Sequence, residues 1–186
     1  MGLLLGTILA TLLVSGCVAT NDYDMPPAEK TVSKVVQKTL EPPQTPDVDM
    51  VPVKVYFGAH DGQQLEAEIH RLKNDVPLVQ RAMEILTEGP RNNELWAVLP
   101  AAAKVKSVIV KERIAYVDFS DEMLKQGFGG SSQEILAVSA IVNTLTEFPA
   151  VERVQILVEG KKVSTLFGHM DVTEPLGRSP GIIKEK

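Results

Sequence analysis

The stretch Gly127-Phe128-Gly129-Gly130-Ser131-Ser132 is where residue types and spacing come nearest to chemistry. A glycine-rich loop that opens a helix can present backbone N–H groups to a phosphate, helped by the positive end of the helix dipole. The nucleotide-binding version needs Gly-x-x-x-x-Gly-Lys-Ser/Thr, and no lysine stands beside these serines. The dinucleotide pattern Gly-x-Gly-x-x-Gly also fails, because the third glycine after Gly129 does not arrive. The spacing Ser131-x-x-Glu134 reads instead as a capping box, in which serine and glutamate each accept from the other's backbone amide. The expectation is a structural helix start, with an anion or partner site at the helix N-terminus as the functional alternative.

The other candidate constellations are sparser. His60, His70 and His169 are scattered without His-x-x-x-His or Glu-x-x-His spacing, so no metal or cofactor is expected. Asp118 and Asp121 flank Phe119-Ser120 and offer either a carboxylate pair for acid/base work or caps for the following turn. No Gly-x-Ser-x-Gly elbow is present, no catalytic residue is assigned, and an enzyme is not expected. Trp96 is the lone tryptophan and is expected to pack in the core. The alternative is a binding loop made from Trp96, Gly127, Gly129, Gly130, Ser131, His169 and Asp171.

The elements that must position these residues follow from periodicity. Val53, Val55 and Phe57 alternate with Lys54 and Tyr56, which predicts a strand. Leu65, Ala67 and Ile69 alternate with Glu66, Glu68 and His70, which predicts a second strand with one wet face. Asn74-Asp75-Val76-Pro77 opens a helix carrying Leu78, Ala82, Ile85 and Leu86, and Gly89-Pro90 closes it. Val105 to Phe119 splits into two strands around Lys111-Glu112-Arg113. A longer helix runs from Ser132 to Glu147 with Ile135, Leu136, Val138, Ile141, Val142 and Leu145 as its apolar positions. A strand through Val154, Ile156 and Val158, a turn at Glu159-Gly160-Lys161, and a last strand over Val163–Phe167 complete the chain. The order β-β-α-β-β-α-β-β implies an α+β fold: a small antiparallel or mixed sheet with two helices packed on one face.

Upstream the composition changes. Residues 3–14 form an uncharged apolar run, shorter than the ~20 residues a membrane span needs. It suits a secretory signal peptide, although no Lys or Arg precedes it. Leu13-Val14-Ser15-Gly16-Cys17 resembles a bacterial lipobox, in which the cysteine is lipidated and becomes the first residue of the mature chain. Cys17 is the sole cysteine, so no intramolecular disulfide forms. Residues 18–50 hold Pro26, Pro27, Pro42, Pro43 and Pro46 among Thr, Lys, Glu and Asp, the composition of a disordered tether. The expected organisation is a signal peptide over 1–16, a lipid-anchored tether over 17–50 and one domain over 51–186. A net charge of −5 argues against a nucleic-acid partner and supplies no polybasic membrane patch. Attachment to the membrane therefore rests on lipid, at the outer face of the cytoplasmic membrane or on the outer membrane of a diderm cell.

Taken in order, the pieces "VKVYF", "ILTEGP", "LP" at 99–100, "AYVDFSDEML", "SQEILAVSAIVNTLTEFPAVERVQILVEGK" and "LFGHMDVTEPLGR" resemble the GerMN domain, a sporulation and spore-germination module. The resemblance covers residues 53–178. It implies an extracytoplasmic, non-catalytic α+β module, similar in fold to the ring-building domains of secretion-like assemblies and common in lipid-anchored proteins. The germination protein that typifies the family carries tandem copies, whereas one copy is present here. The implied function is a lipid-anchored interaction module that helps assemble a cell-envelope complex through protein partners or self-association. A lipoprotein that binds cell-wall glycan or peptide is the alternative, and an envelope hydrolase the third.

Overall fold

The computed structural model describes residues 49–74, 77–125 and 130–185. Cys17, Gly127 and Gly129, with the expected signal peptide and most of the expected tether, lie outside the described residues.

The domain opens with a hairpin of β1 (Met50–Gly58) and β2 (Leu65–Lys73), antiparallel in unbroken register from Met50↔Lys73 to Gly58↔Leu65. Helix α1 (Leu78–Glu88) follows. Of the two polar residues that open it, Asp75 lies outside the described residues and Asn74 Nδ2 donates to Asp49 Oδ2 at 3.0 Å, while Pro77 takes the cap position without a side-chain bond. Gly89 ends α1 as expected, with φ 93° and its N–H on Ile85 O at 3.1 Å. Next come β3 (Val105–Lys111), β4 (Ile114–Phe119), the single turn α2 (Glu122–Lys125) and α3 (Ser131–Leu145). The chain finishes with β5 (Arg153–Val158), β6 (Lys161–Lys162), β7 (Leu176–Gly177) and a 3₁₀ turn over Pro180–Ile182.

The α+β class holds, but the strands divide into two sheets. One is the β1–β2 hairpin; the other runs β3-β4-β5-β6, with β7 also on β5. β4 and β5 are parallel, joined by a crossover that contains α3. Among the described residues, no strand pairs with the C-terminal half of the β1 edge, so the hairpin does not extend the larger sheet. Tyr56 N–H donates to Thr144 Oγ1 of α3 at 3.1 Å, and Gly58 exchanges two backbone bonds of 3.0 Å with Trp96.

Both long helices pack on β1 and on each other, and each also meets the larger sheet, α1 at β3 and α3 at β5. Enclosure on several sides explains why every residue from Leu136 to Leu145 is buried, Ser139, Asn143 and Thr144 included. A buried polar group needs a partner. Asn143 finds two, giving Nδ2 to Ser179 O and taking Ser179 N–H on Oδ1, both at 2.9 Å. Ile135, expected inside, is 42% exposed, on the side of α3 away from the buried Glu134 and just before the stretch enclosed all round.

Of two further local expectations, the split of Val105–Phe119 into two strands holds and the last strand does not. The β3–β4 turn is a tight two-residue connection even without glycine, with Glu112 at φ 51° and Arg113 at φ 63°. Contacts to the loop after α3 hold it: Arg113 O accepts from Glu152 N at 2.7 Å, and Arg113 Nε pairs with Glu152 Oε1 at 2.7 Å. The expected strand over Val163–Phe167 is absent. Only Lys161–Lys162 join the ladder, because amides further on are captured by a carboxylate of α3.

Candidate interaction face

That carboxylate is Glu134, fully buried in the first turn of α3. Its oxygens accept from the N–H groups of Leu166 (2.9 Å), Phe167 (2.8 Å) and His169 (2.6 Å), and His169 Nδ1 lies 3.2 Å from Oε2. Burial pushes its pKa up. Donation from the Phe167, His169, Leu166 and Met170 amides outweighs burial and holds it below the usual carboxylate value. The capping box is therefore not formed. Gly130 occupies the cap position, no side chain caps the helix, and Ser131 is exposed. Glu134 is the clasp of the 166–169 loop rather than the cap of its own helix.

Glu68 plays the same part on β2. It accepts from Arg91 N at 3.1 Å and Asn92 N at 2.8 Å, pinning the loop after α1. Its other oxygen lies 2.6 Å from Nε2 of the buried His70. Burial lowers the His70 pKa, and the Glu68 charge offsets that only in part.

Among the described members of the binding loop proposed from sequence, Trp96, His169 and Asp171 are each engaged in local contacts. Trp96 lies over Gly58, where a Cβ would fall 2.2 Å from the indole, and its Nε1 donates to Ala59 O at 2.9 Å. Its role is to clamp the end of β1. Asp171 accepts from Thr173 N at 2.9 Å and Thr173 Oγ1 at 2.7 Å, a local turn. Of this set, Glu134 brings His169 to the start of α3, while the hydrogen bonds of Trp96 go to Gly58 and Ala59. Asp118 accepts from Gly160 N at 2.8 Å, and Asp121 pairs with Lys125, so each carboxylate serves its own structural contact. Among the described residues no group of three His, Cys, Asp or Glu is placed to hold a metal ion.

The feature that stands out is the hairpin, and sequence periodicity assigned its faces the wrong way on β2. The rungs Val53↔His70, Val55↔Glu68 and Phe57↔Glu66 turn inward with β1's buried residues. His70 is 1% exposed against Phe57, with ring centroids 6.4 Å apart. The rungs Pro52↔Arg71, Lys54↔Ile69 and Tyr56↔Ala67 face the other way, leaving Ile69 61% exposed. A strand's side chains alternate with period two, so choosing the other face for one inverts all of them. Leu65 alone of the expected inner set is buried, opposite Gly58 and bonded through its carbonyl to Lys184 N at 2.8 Å.

Beside Ile69 a groove of about 480 Å³ runs along the N-terminal half of β1, walled by Val51, Val53, Leu78, Phe148 and Pro149. At its rim Glu147 gathers three partners. Tyr56 Oη donates to it at 2.7 Å, Arg178 Nη2 hydrogen-bonds to it, and Lys54 Nζ lies 3.3 Å away. Arg178 also donates to Tyr56 Oη at 2.9 Å, with its guanidinium 5.6 Å from the ring centroid. Burial pushes the Glu147 pKa up, but donation from Tyr56 and Arg178 prevails and lowers it. The Tyr56 pKa is raised, by burial first and by Glu147 second. This cluster fixes the rim as a rigid, charged border to an apolar groove. Sequence reasoning read Pro149 only as a helix stop and Ile69 as core. The available signal was the pair Phe148-Pro149 directly after a charged Glu147, an apolar corner that the helix itself no longer buries.

Comparison with known proteins agrees with this architecture. The sequence model of the Germane family, "Sporulation and spore germination", matches residues 54–164. The spore germination protein GerM of Bacillus subtilis is 30% identical over 109 residues, which are 55% of this chain and 29% of that protein. The match thus spans under a third of the length of that relative. The first GerMN domain of the same sporulation protein has a solved structure that is 25% identical, with a TM-score of 0.60, covering 69% of this chain and 98% of that one. A chain named as a lipoprotein, from Clostridium perfringens, is 26% identical with a TM-score of 0.51, covering 69% of this chain and 87% of that one. With more than half of its length matched to the family model and a GerMN domain as its structural likeness, the chain belongs to the Germane family of sporulation and spore germination.

Proposed function

We propose that this protein is a lipid-anchored, extracytoplasmic interaction module that helps assemble a cell-envelope complex, in the setting of sporulation or germination. The observation that carries the proposal is the inverted β2 face: a large aliphatic side chain, Ile69, is held in solvent beside an apolar groove while a histidine is buried in its place. Single exposed apolar side chains are common, but Ile69 adjoins the apolar walls of a groove under a polar rim, and a contiguous apolar surface of that kind marks a binding site. Asp118, Asp121 and Glu134 are each occupied by loop amides or an ion pair, which supports a binding role over acid/base chemistry. The family match and the name of the Clostridium perfringens relative support an envelope setting. The lipid anchor is Cys17, and the residues between it and β1 serve as its tether.

Membrane fractionation tests the anchor. The unaltered chain is expected in the membrane fraction with its signal peptide removed. Cys17→Ala is expected to abolish metabolic labelling with fatty acid and to leave the chain unprocessed or released. Normal lipid labelling of that variant would exclude Cys17 as the anchor.

A further inference from the structure

Resting on the interaction reading, we propose that the partner docks as an extended peptide. It adds to the part of the β1 edge at Pro52–Lys54 that no strand among the described residues pairs, places one large apolar side chain in the groove and sets an acidic residue beside it.

The edge argument comes from alternation. Tyr56 and Gly58 turn their backbone groups away from β2, since Tyr56 N–H reaches Thr144 and Gly58 reaches Trp96. By the two-residue period, Lys54 N–H, Lys54 C=O and Pro52 C=O point the same way. Here α3 and Trp96 no longer cover the strand. The groove opens instead, so the edge offers a short row of backbone donor and acceptors above an apolar floor. That pairing of main-chain hydrogen bonds with a side-chain pocket is how strand addition recognises a peptide.

The charge argument sets the chemistry of the occupant. The outward rungs carry Lys54, Arg71 and Lys73 and no acidic residue, on a chain whose net charge is −5. Among the described residues Arg71 and Lys73 pair with no carboxylate, and Glu147 is already shared by Lys54 and Arg178. The face is therefore locally cationic around an apolar groove and complements a segment that alternates large apolar with acidic residues. An anionic membrane surface shares the charge preference, but it would not use a concave groove or a row of backbone hydrogen-bonding groups.

The test uses the full chain in detergent micelles and fluorescent peptide pools of about seven residues, the length of a strand. In one pool Leu and Phe alternate with Asp and Glu; in the other they alternate with Lys and Arg. Fluorescence anisotropy is expected to show binding of the acidic pool over the basic pool. Arg71→Glu and Ile69→Asp are expected to weaken it at least ~10-fold, the change that a lost complementary contact of ordinary size produces. Ile109→Asp, at an exposed position on β3, leaves it unchanged, and amide exchange at Lys54 slows in the complex. Equal binding of both pools, or binding indifferent to Arg71→Glu, would overturn the proposal. So would no peptide binding together with Arg71-dependent binding to phosphatidylglycerol vesicles, which would make the face a membrane surface. Absence of peptide binding in a chain that still cross-links to an envelope protein through another face would remove this docking mode and leave the interaction reading standing.

Discussion

Replacing Glu134 with alanine is expected to lower stability by about 2–5 kcal/mol, because one buried carboxylate serves several backbone donors and each donor deprived of its acceptor costs about 1–3 kcal/mol. The donors are the amides of Leu166, Phe167 and His169, and without Glu134 the loop that carries them loses its clasp to α3. Glu134→Gln keeps an acceptor oxygen and the shape, so a smaller loss is expected. The pH dependence gives an independent signature. The folded-state pKa of Glu134 is depressed below 4.5, so its contribution is fully present above that value and is lost as pH falls through the folded pKa. Urea melts of the unaltered chain should therefore weaken on acidification below pH 4.5, and Glu134→Ala should flatten that acid limb. A loss of less than half a kcal/mol, or an unchanged acid limb, would show that the 166–169 loop is held by other contacts.

Ile141→Ala is expected to cost about 2–5 kcal/mol, the range for a buried large-to-small change that leaves a cavity. Ile141 is fully buried in the stretch of α3 that is enclosed all round, so its neighbours are already fixed on several sides and cannot collapse into the space. Ile135→Ala on the same helix should shift stability by less than about 0.5 kcal/mol, since Ile135 is 42% exposed. Chemical denaturation of the two variants side by side separates burial from helix propensity, because both replace isoleucine by alanine in one helix. Equal effects would mean that α3 is not enclosed as described.

Much of the fold is readable in the sequence where one signal dominates. Val53, Val55 and Phe57 of β1 are buried as their spacing predicts, Gly89-Pro90 stops α1, and the apolar run of α3 is long and dense enough to demand enclosure. The failures share a cause: a residue whose local pattern says one thing is recruited by a distant segment. Ser131-x-x-Glu134 fits a capping box, yet Glu134 is drawn inward by amides more than thirty residues away. Asn74 fits a helix cap, yet Asp49 takes it. The expected last strand over 163–167 yields its amides to Glu134. The candidate face was the least legible part. The alternation of β2 is equally regular with either side inward, and only the pairing of His70 with Phe57 and of Glu68 with the 91–92 loop decides it. The α+β class and the family resemblance survived these local errors because they rest on the order of elements and not on which face each one buries.

The measurement that tests the interaction claim most directly is site-specific photocross-linking in intact membranes, with the photoreactive residue placed at position 69 or, as control, at position 109. Both sites are exposed isoleucines, at 61% and 62%, on different sheets of the domain. The expected result is a discrete protein adduct from position 69 that Arg71→Glu abolishes, with none from position 109. Lipid adducts alone from position 69, or the same protein adducts from both positions regardless of Arg71, would contradict a docking face on the β1–β2 hairpin.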